Sequence, residues 1–426
     1  MAPTVERHGD ASPGFVAVRP LRIVLFAESS LPYVSGVTVS VDALARGLGA
    51  CGHDVMLVAP RPSGGAAVSE VGSPGPAPRM AWAPSYELPV IAPPGYRMPW
   101  PTPVSAAVRA ARAFDPDVVH AHSPFVSGVM ALLLARAARA PLIFTHHTRF
   151  DDYSHYLGPF STVGRAATSA WLRAFWQACD AVIAPSTDLA ESIRTRLGRE
   201  AAPRVHVIPT GVDAAAIRAL VREDLRASAG WPQDSVVLVS LGRLAPEKSP
   251  ELLIDAMARA ANTEPALRIV VIGGGPSLVP TMGRAAAAGL GDRILFTGSL
   301  PRLRALATLA GGDLFAFTSR SETQGIVLAE ALTAGLPAVA VDGPGVRDSV
   351  RDGVDGLVVS PTPPGTLEVR VADAFAGLVR DPERRRELAH RASSDAGRFD
   401  VHRRVAEVEA LYRGALGSRP RRESEP

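Results

Sequence analysis

Lysine is almost absent from this 426-residue chain: Lys248 is the only one, so 44 of the 45 basic side chains are arginine, and Asn262 is the only asparagine. The abundance of Ala, Arg, Gly and Pro beside these gaps resembles the coding bias of a GC-rich genome. Lys248 then has two readings: a surface charge that survived by chance, or a position where a compact ammonium is needed and a planar guanidinium does not serve. Cysteine is scarce as well. Cys51 and Cys179 can build neither a disulfide framework nor a cysteine-rich metal centre, and they point to a reducing compartment, the cytoplasm. No stretch approaches eighteen consecutive apolar residues, so no spanning helix is expected. The first twenty residues carry Glu6, His8 and Asp10 without an apolar segment, so no secretory signal is expected either. A one-sided charge is also missing: 45 basic against 42 acidic side chains leaves +3, which excludes nucleic-acid binding by charge alone.

What is present is an ordinary globular composition, 47% apolar and 20% charged, with 38 glycines and 38 prolines that imply many loops. At roughly 100–200 residues per domain, the length implies two domains. Short apolar runs alternate with helical spacing along most of the chain. Arg22–Ala27 reads as a buried strand, a helix follows from about Val37, and Asp54–Ala59 is the next strand. Residues Pro60 to Pro103 hold twelve prolines and read as an irregular excursion with at most short strands. Strands resume at Val118–Ala121, Leu142–Thr145 and Ala181–Ala184, with helices through Val129–Ala138 and around Trp171–Cys179 between them. A second series runs through Val236–Leu241, Leu267–Ile272, Ile294–Thr297, Leu314–Phe317 and Ala338–Val341. Repeated strand–helix units of this kind predict α/β architecture with two doubly wound parallel sheets and a cleft between them. The expected division is a disordered leader over 1–20, one domain over 21–213, a second over 214–400, a final helix over 401–416 and a disordered tail over 417–426, with the switch at Ile208–Asp213.

Five segments at strand ends are candidates for chemistry. Gly36, in Pro32–Val37, stands where the first strand turns into its helix and lets backbone amides approach an anion. It is not a dinucleotide fingerprint, and a plain turn explains it equally. His120 and His122 end a strand, and a neutral imidazole at His122 could donate to a sugar hydroxyl. No third ligand stands at metal spacing, so no metal is expected. Thr145–Tyr153 follows the next strand and offers His146, His147, Thr148 and Tyr153 to the same cleft. Gly242, Arg243 and Lys248 follow the strand Val236–Leu241, with Ser249 as N-cap and Pro250 as first helical residue, and two cations beside a helix start suit phosphate oxygens. The richest segment is Thr318–Ala331. There Glu322 can accept from sugar hydroxyls, Gly325 opens a helix so that its own amide and those of Ile326 and Val327 face a diphosphate, and Glu330 can accept from a ribose. An amphipathic helix with two solvated glutamates explains the spacing, but less easily the glycine and the strand-end placement.

In this order the segments, together with Ile-Pro-Thr-Gly-Val-Asp at 208–213, resemble the retaining nucleotide-sugar glycosyltransferases of family 4, which have the GT-B fold of two Rossmann-like domains. The resemblance runs from Arg22 to about Leu416. It implies that Gly36, Arg243 and Lys248 contact the donor diphosphate, that Glu322 and the amides after it hold the transferred sugar, that Glu330 holds the ribose, and that His122 is the active-site histidine. It also implies that the last helix crosses back to the first domain and that no cofactor or metal is required. The implied reaction moves a hexose from a UDP- or GDP-linked sugar to an acceptor hydroxyl with retention of configuration. A sugar-nucleotide epimerase and a non-catalytic nucleotide-sugar-binding protein are the alternatives. Gln324 departs from the aromatic residue that many relatives carry there. The Thr145–Tyr153 stretch is similar to a subgroup acting on diacylglycerol or other lipid-linked acceptors, which implies peripheral contact with the inner face of the plasma membrane. Trp171, Leu172, Phe175 and Trp176, with Arg165 and Arg173, could make that contact or could be core.

Overall fold

The computed structural model describes residues 19–31, 33, 35–62, 75–87, 96–100, 102, 104–149 and 161–418, the side chains of 161–163 excepted. Residues 1–18 of the leader, 419–426 of the tail and Tyr153 lie outside the described residues. The first half supplies strands β1 (Arg22–Phe26), β2 (Asp54–Pro60), β3 (Arg79–Ala83), β4 (Ser85–Glu87), β5 (Arg97–Pro99), β6 (Val118–Ala121), β7 (Leu142–Thr145), β8 (Ala181–Ala184) and β9 (Val205–Val207). The second half supplies β10 (Val236–Leu241), β11 (Leu267–Ile272), β12 (Ile294–Gly298), β13 (Leu314–Phe317), β14 (Ala338–Val341) and β15 (Gly356–Val359). One parallel sheet runs β3-β2-β1-β6-β7-β8-β9 and another β12-β11-β10-β13-β14-β15, while β4 and β5 pair antiparallel.

Side chains that alternate along each strand explain why both faces are covered. On β1, Val24 and Phe26 enter one core with Val119 and Phe144, and Ile23 and Leu25 enter the other with Val118 and Ile143. The doubly wound α/β class is therefore the observed one. Both sheets reverse their strand order in the middle, at β1/β6 and at β10/β13. Ligands of such sheets bind beyond the carboxyl ends of the strands at that reversal.

The helix Val401–Gly417 packs into the core of Ile23 and Leu25 through Val405, Val408 and Tyr412. Its approach to the helix Gly36–Ala50 is close: a Cβ built at Gly47 would sit 2.5 Å from a Val405 methyl. The Tyr412 hydroxyl lies 2.7 Å from His120 Nδ1, deep in the interior.

Two expectations hold and two need correction. Among its described residues the proline-rich excursion carries short strands, as expected, and one of them, β3, forms the edge of the main sheet, a position that tolerates flanking prolines because one side carries no ladder. The helix expected around Trp171 starts at Ser161, in a stretch of small residues with no apolar period to announce it. Leu172, Phe175 and Trp176 are each 2% exposed and belong to the core; only Trp171 of that group reaches the surface, with its indole N–H on the Pro124 carbonyl. Gly417 continues the final helix, so the tail is helical to that point. No described helix is long and apolar enough to cross a membrane.

Replacing Tyr412 with Phe removes the partner of a buried imidazole nitrogen, which costs about 1–3 kcal/mol. The urea midpoint of the Tyr412→Phe variant is expected to fall, and an unchanged midpoint would show that the final helix does not hold His120.

Candidate active site

Strands β10 and β13 are neighbours, so the loops that leave their carboxyl ends meet. The Thr318 hydroxyl donates to the carbonyls of Lys248 (3.3 Å) and Ser249 (3.2 Å), and the Ser321 hydroxyl to the Glu247 carbonyl (3.0 Å). Lys248 Nζ then pairs with the Glu322 carboxylate. Lys248 has three N–H donors, so it can hold Glu322 and still present donors to an anion. Arg243 is exposed, and no carboxylate pairs with it among the described residues. Ser249 does not cap by its side chain as expected: it adopts φ 51°, ψ 51°, and makes no side-chain cap bond. That left-handed turn follows the short 3-10 turn Pro246–Lys248 and directs the chain into the helix Pro250–Ala261.

Gly325 is left-handed at φ 73° and stands as N-cap of the helix Ile326–Thr333 with no side chain capping it. A Cβ there would lie 3.2 Å from Leu328 and 3.3 Å from Phe317, so the position suits glycine by conformation and by space. The first amides of this helix are left without intrahelical acceptors. A second helix start faces them. A Cβ built at Gly36 would be 3.8 Å from Ile326 Cδ1, which brings the start of Gly36–Ala50 against the start of Ile326–Thr333 across the cleft. Ser35 and Thr38 form a capping box on the first helix, so part of its donor set is already satisfied. Glu330 is buried, at 3% side-chain exposure, and pairs with Arg302. Sequence reasoning missed Arg302, one arginine among 44 with no motif around it.

The other wall is a group of imidazoles. His122 follows β6, with its backbone N–H on the Phe26 carbonyl (2.8 Å). Its Nδ1 is 2.9 Å from His147 Nε2, while its buried Nε2 has no partner among the described residues. Burial first, and the neighbouring rings second, push the His122 imidazole well below its usual pKa, and the same causes bring His120 and His147 to about 3. These rings are neutral at pH 7. His146 departs from the expectation that it lines the cleft. It is 3% exposed, takes the Trp176 indole N–H on Nδ1 (3.2 Å) and has Nε2 on the Thr148 carbonyl (2.8 Å).

The two walls touch. The Thr323 hydroxyl donates to the His147 carbonyl (2.9 Å). Gln324 exchanges two bonds with the backbone of Thr210, accepting its N–H at 2.7 Å and donating to its carbonyl at 2.9 Å. Asp348 accepts both the backbone N–H and the hydroxyl of Thr187 at 2.8 Å. Gln324 is therefore a tie to the segment joining the halves. Among the described residues no group of three His, Cys, Asp or Glu is arranged to hold a metal ion.

Residues 34–216 match Glycosyltransferase Family 4, and residues 221–395 match Glycosyl transferases group 1. Over 372 residues the chain is 31% identical to a GDP-mannose-dependent alpha-mannosyltransferase of Mycobacterium tuberculosis (strain CDC 1551 / Oshkosh), covering 87% of this chain and 92% of that protein. It is 27% identical over 346 residues to an alpha-monoglucosyldiacylglycerol synthase of Streptococcus pneumoniae (strain ATCC BAA-255 / R6), covering 79% and 75%. Among solved structures, Anabaena HepE in complex with UDP shares the fold at a TM-score of 0.70 and 19% identity, covering 92% of this chain and 100% of that one. With both halves matched and the first relative aligned over nearly its full length, the chain belongs to glycosyltransferase family 4, with that family's two-domain GT-B fold.

Proposed function

We propose that the protein transfers a hexose from a UDP- or GDP-linked sugar to an acceptor hydroxyl with retention of anomeric configuration, and that the acceptor is a lipid or glycolipid. The observation that carries this reading is the convergence on one cleft of two helix starts, Lys248 with Glu322, and a neutral imidazole pair. The relatives support the donor class, one being named for GDP-mannose and a structural neighbour holding UDP. The synthase of S. pneumoniae, named for a glucosyl diacylglycerol, supports the acceptor class, and we place the protein at the cytoplasmic face of the plasma membrane. We divide the chain into an acceptor domain over 21–213, joined by the helix 401–416, and a donor domain over 214–400.

In this reading the bond from the sugar's anomeric carbon to the diphosphate breaks, the acceptor oxygen bonds to that carbon on the same face, and the acceptor's proton passes to the departing phosphate. Negative charge grows on the diphosphate. Lys248, Arg243 and the amides at Gly36, Gly325, Ile326 and Val327 are fixed positive ends that meet it without reorganising, which lowers the barrier more than the same groups would in water. Gly242 carries no side chain to obstruct the approach. Glu322 accepts from the hydroxyls of the transferred sugar, and Glu330, oriented by Arg302, from those of the ribose. For His122 Nε2 to donate to the sugar, Nδ1 must accept from a protonated His147 Nε2, and a neutral pair permits that tautomer. His146, with both ring nitrogens engaged, leaves the acceptor side to His147 and Thr148. Nothing in the geometry or the family matches favours the epimerase or the passive binder.

A thermal-shift panel of UDP-, GDP- and ADP-sugars, followed by product analysis with the stabilising donor, tests this reading. A glycosylated acceptor supports it; an epimerised sugar, or unchanged donor in the presence of every acceptor tried, overturns it. Lys248→Ala is expected to lower kcat by about 10²–10³-fold with an unchanged melting temperature, since a pair at 25% and 18% exposure contributes little stability. A near-normal kcat would remove Lys248 from the machinery.

The imidazoles also set the acid limit. His120 and His147 hold folded-state values near 3 against an ordinary 6.5, so below 6.5 the unfolded chain binds more protons than the folded one. Their contribution is complete above 6.5 and is lost as the pH falls toward 3. The urea midpoint is expected to drop from about pH 7 to about pH 4.5, and His147→Gln to flatten that slope by roughly one proton.

A further inference from the structure

The reversal point of the first sheet holds a carboxylate that the roles above leave unused. Glu28 stands two residues beyond β1 and His122 one beyond β6, strands paired in register at Phe26 and Ala121. Glu28 accepts from the Ser123 hydroxyl and from the backbone N–H groups of Val126 and Ser127, the last at 3.4 Å. A carboxylate has about four lone-pair positions, so these three donors leave it room to accept one more. Burial pushes its pKa above the ordinary value despite those bonds.

Two aromatic pairs come from the loop after β1 and the segments around β4 and β5. Tyr33 and Tyr96 meet edge to face at 5.6 Å and 72°, and Tyr86 meets Trp100 at 5.2 Å and 75°. Tyr96 is near enough to Glu28, Tyr33 and Tyr86 for their charges to push its phenol up further, after burial. Tyr33 in turn feels the positive charge of Arg243. His122, whose Nε2 has no partner among the described residues, follows the neighbouring strand.

Ring faces with one carboxylate suit a polyhydroxylated ligand: apolar C–H faces stack on the aromatics, and hydroxyls donate to the carboxylate. A phosphate in the same place would set like charges together. We infer that Glu28, Tyr33 and Tyr96 form the acceptor subsite, and that it takes a neutral sugar ring or polyol headgroup rather than a phosphorylated one. This rests on the glycosyl-transfer reading above. Glu28 also borders the helix Val126–Ala138, whose N-cap Phe125 makes no side-chain cap bond, so a purely capping role is the competing account.

The test uses the full chain with UDP-glucose and GDP-mannose as donors. Octyl α-D-glucopyranoside and octyl α-D-mannopyranoside serve as neutral acceptors, and D-myo-inositol 3-phosphate as the charged one. Wild type is expected to glycosylate an octyl glycoside in preference to the inositol phosphate. Glu28→Gln and Tyr96→Leu are each expected to raise the acceptor KM by about tenfold or more, the loss of one hydrogen bond to a charged group or of one stacked ring. The donor KM should stay where it is, and Tyr96→Phe should restore the acceptor KM. A lowered melting temperature with an unmoved acceptor KM assigns Glu28 to capping and overturns the inference. Preference for the inositol phosphate, or donor hydrolysis without transfer to either octyl glycoside, overturns it too. If wild type consumes neither donor under any condition, it is the glycosyl-transfer reading itself that fails.

Discussion

The pairing of Lys248 with Glu322 is the contact on which the site depends. It joins the loops that leave two adjacent strands, β10 and β13, and exists only because the second sheet reverses its order there. Partly exposed ion pairs contribute at most about 1 kcal/mol to stability. The importance of this one is positional: it fixes an ammonium and a carboxylate beside the uncapped helix start at Ile326. Hydroxyls of Thr318 and Ser321 reinforce the arrangement by donating to backbone carbonyls of the neighbouring loop. Arginine at 248 would carry the same charge on a longer, planar head that meets a carboxylate in a different geometry.

A second constraint acts across the cleft. Gln324, between Glu322 and the helix start, binds the backbone of Thr210 through both of its amide atoms, and Thr323 binds the carbonyl of His147. The cradle loop is thus tied at once to the segment between the halves and to the imidazole wall. Movement of one half relative to the other would have to break or carry these bonds. An aromatic side chain at 324 could not supply the same pair of bonds, because it has no amide to match a backbone N–H and C=O together.

Much of this was legible in the residues. Short apolar runs at regular intervals disclose parallel strands, and glycine, histidine and glutamate at their ends disclose a ligand cleft, because buried strands have one chemistry and strand ends another. The lone Lys248 was a usable signal for the same reason: it stands at a strand-to-helix junction in a chain that otherwise uses arginine. Other features left no local trace. Strand β3 hides among prolines, β15 among glycine and aspartate turns, and Arg302 among dozens of arginines. His146 looked like a cleft residue and is a buried one, since the neighbour that captures it, Trp176, comes from a helix thirty residues on.

Local order in the chain therefore determined the class of fold and the segments from which the site is made, since strand periodicity, turn residues and N-cap glycines act within a few positions of themselves. Partnership was decided by tertiary structure alone. Which side chain faces Glu322, what orients Glu330, which imidazole keeps a nitrogen without a partner among the described residues, and whether Phe175 and Trp176 meet solvent or core all depend on segments 28 to 292 residues apart, whose meeting follows from strand order and helix packing.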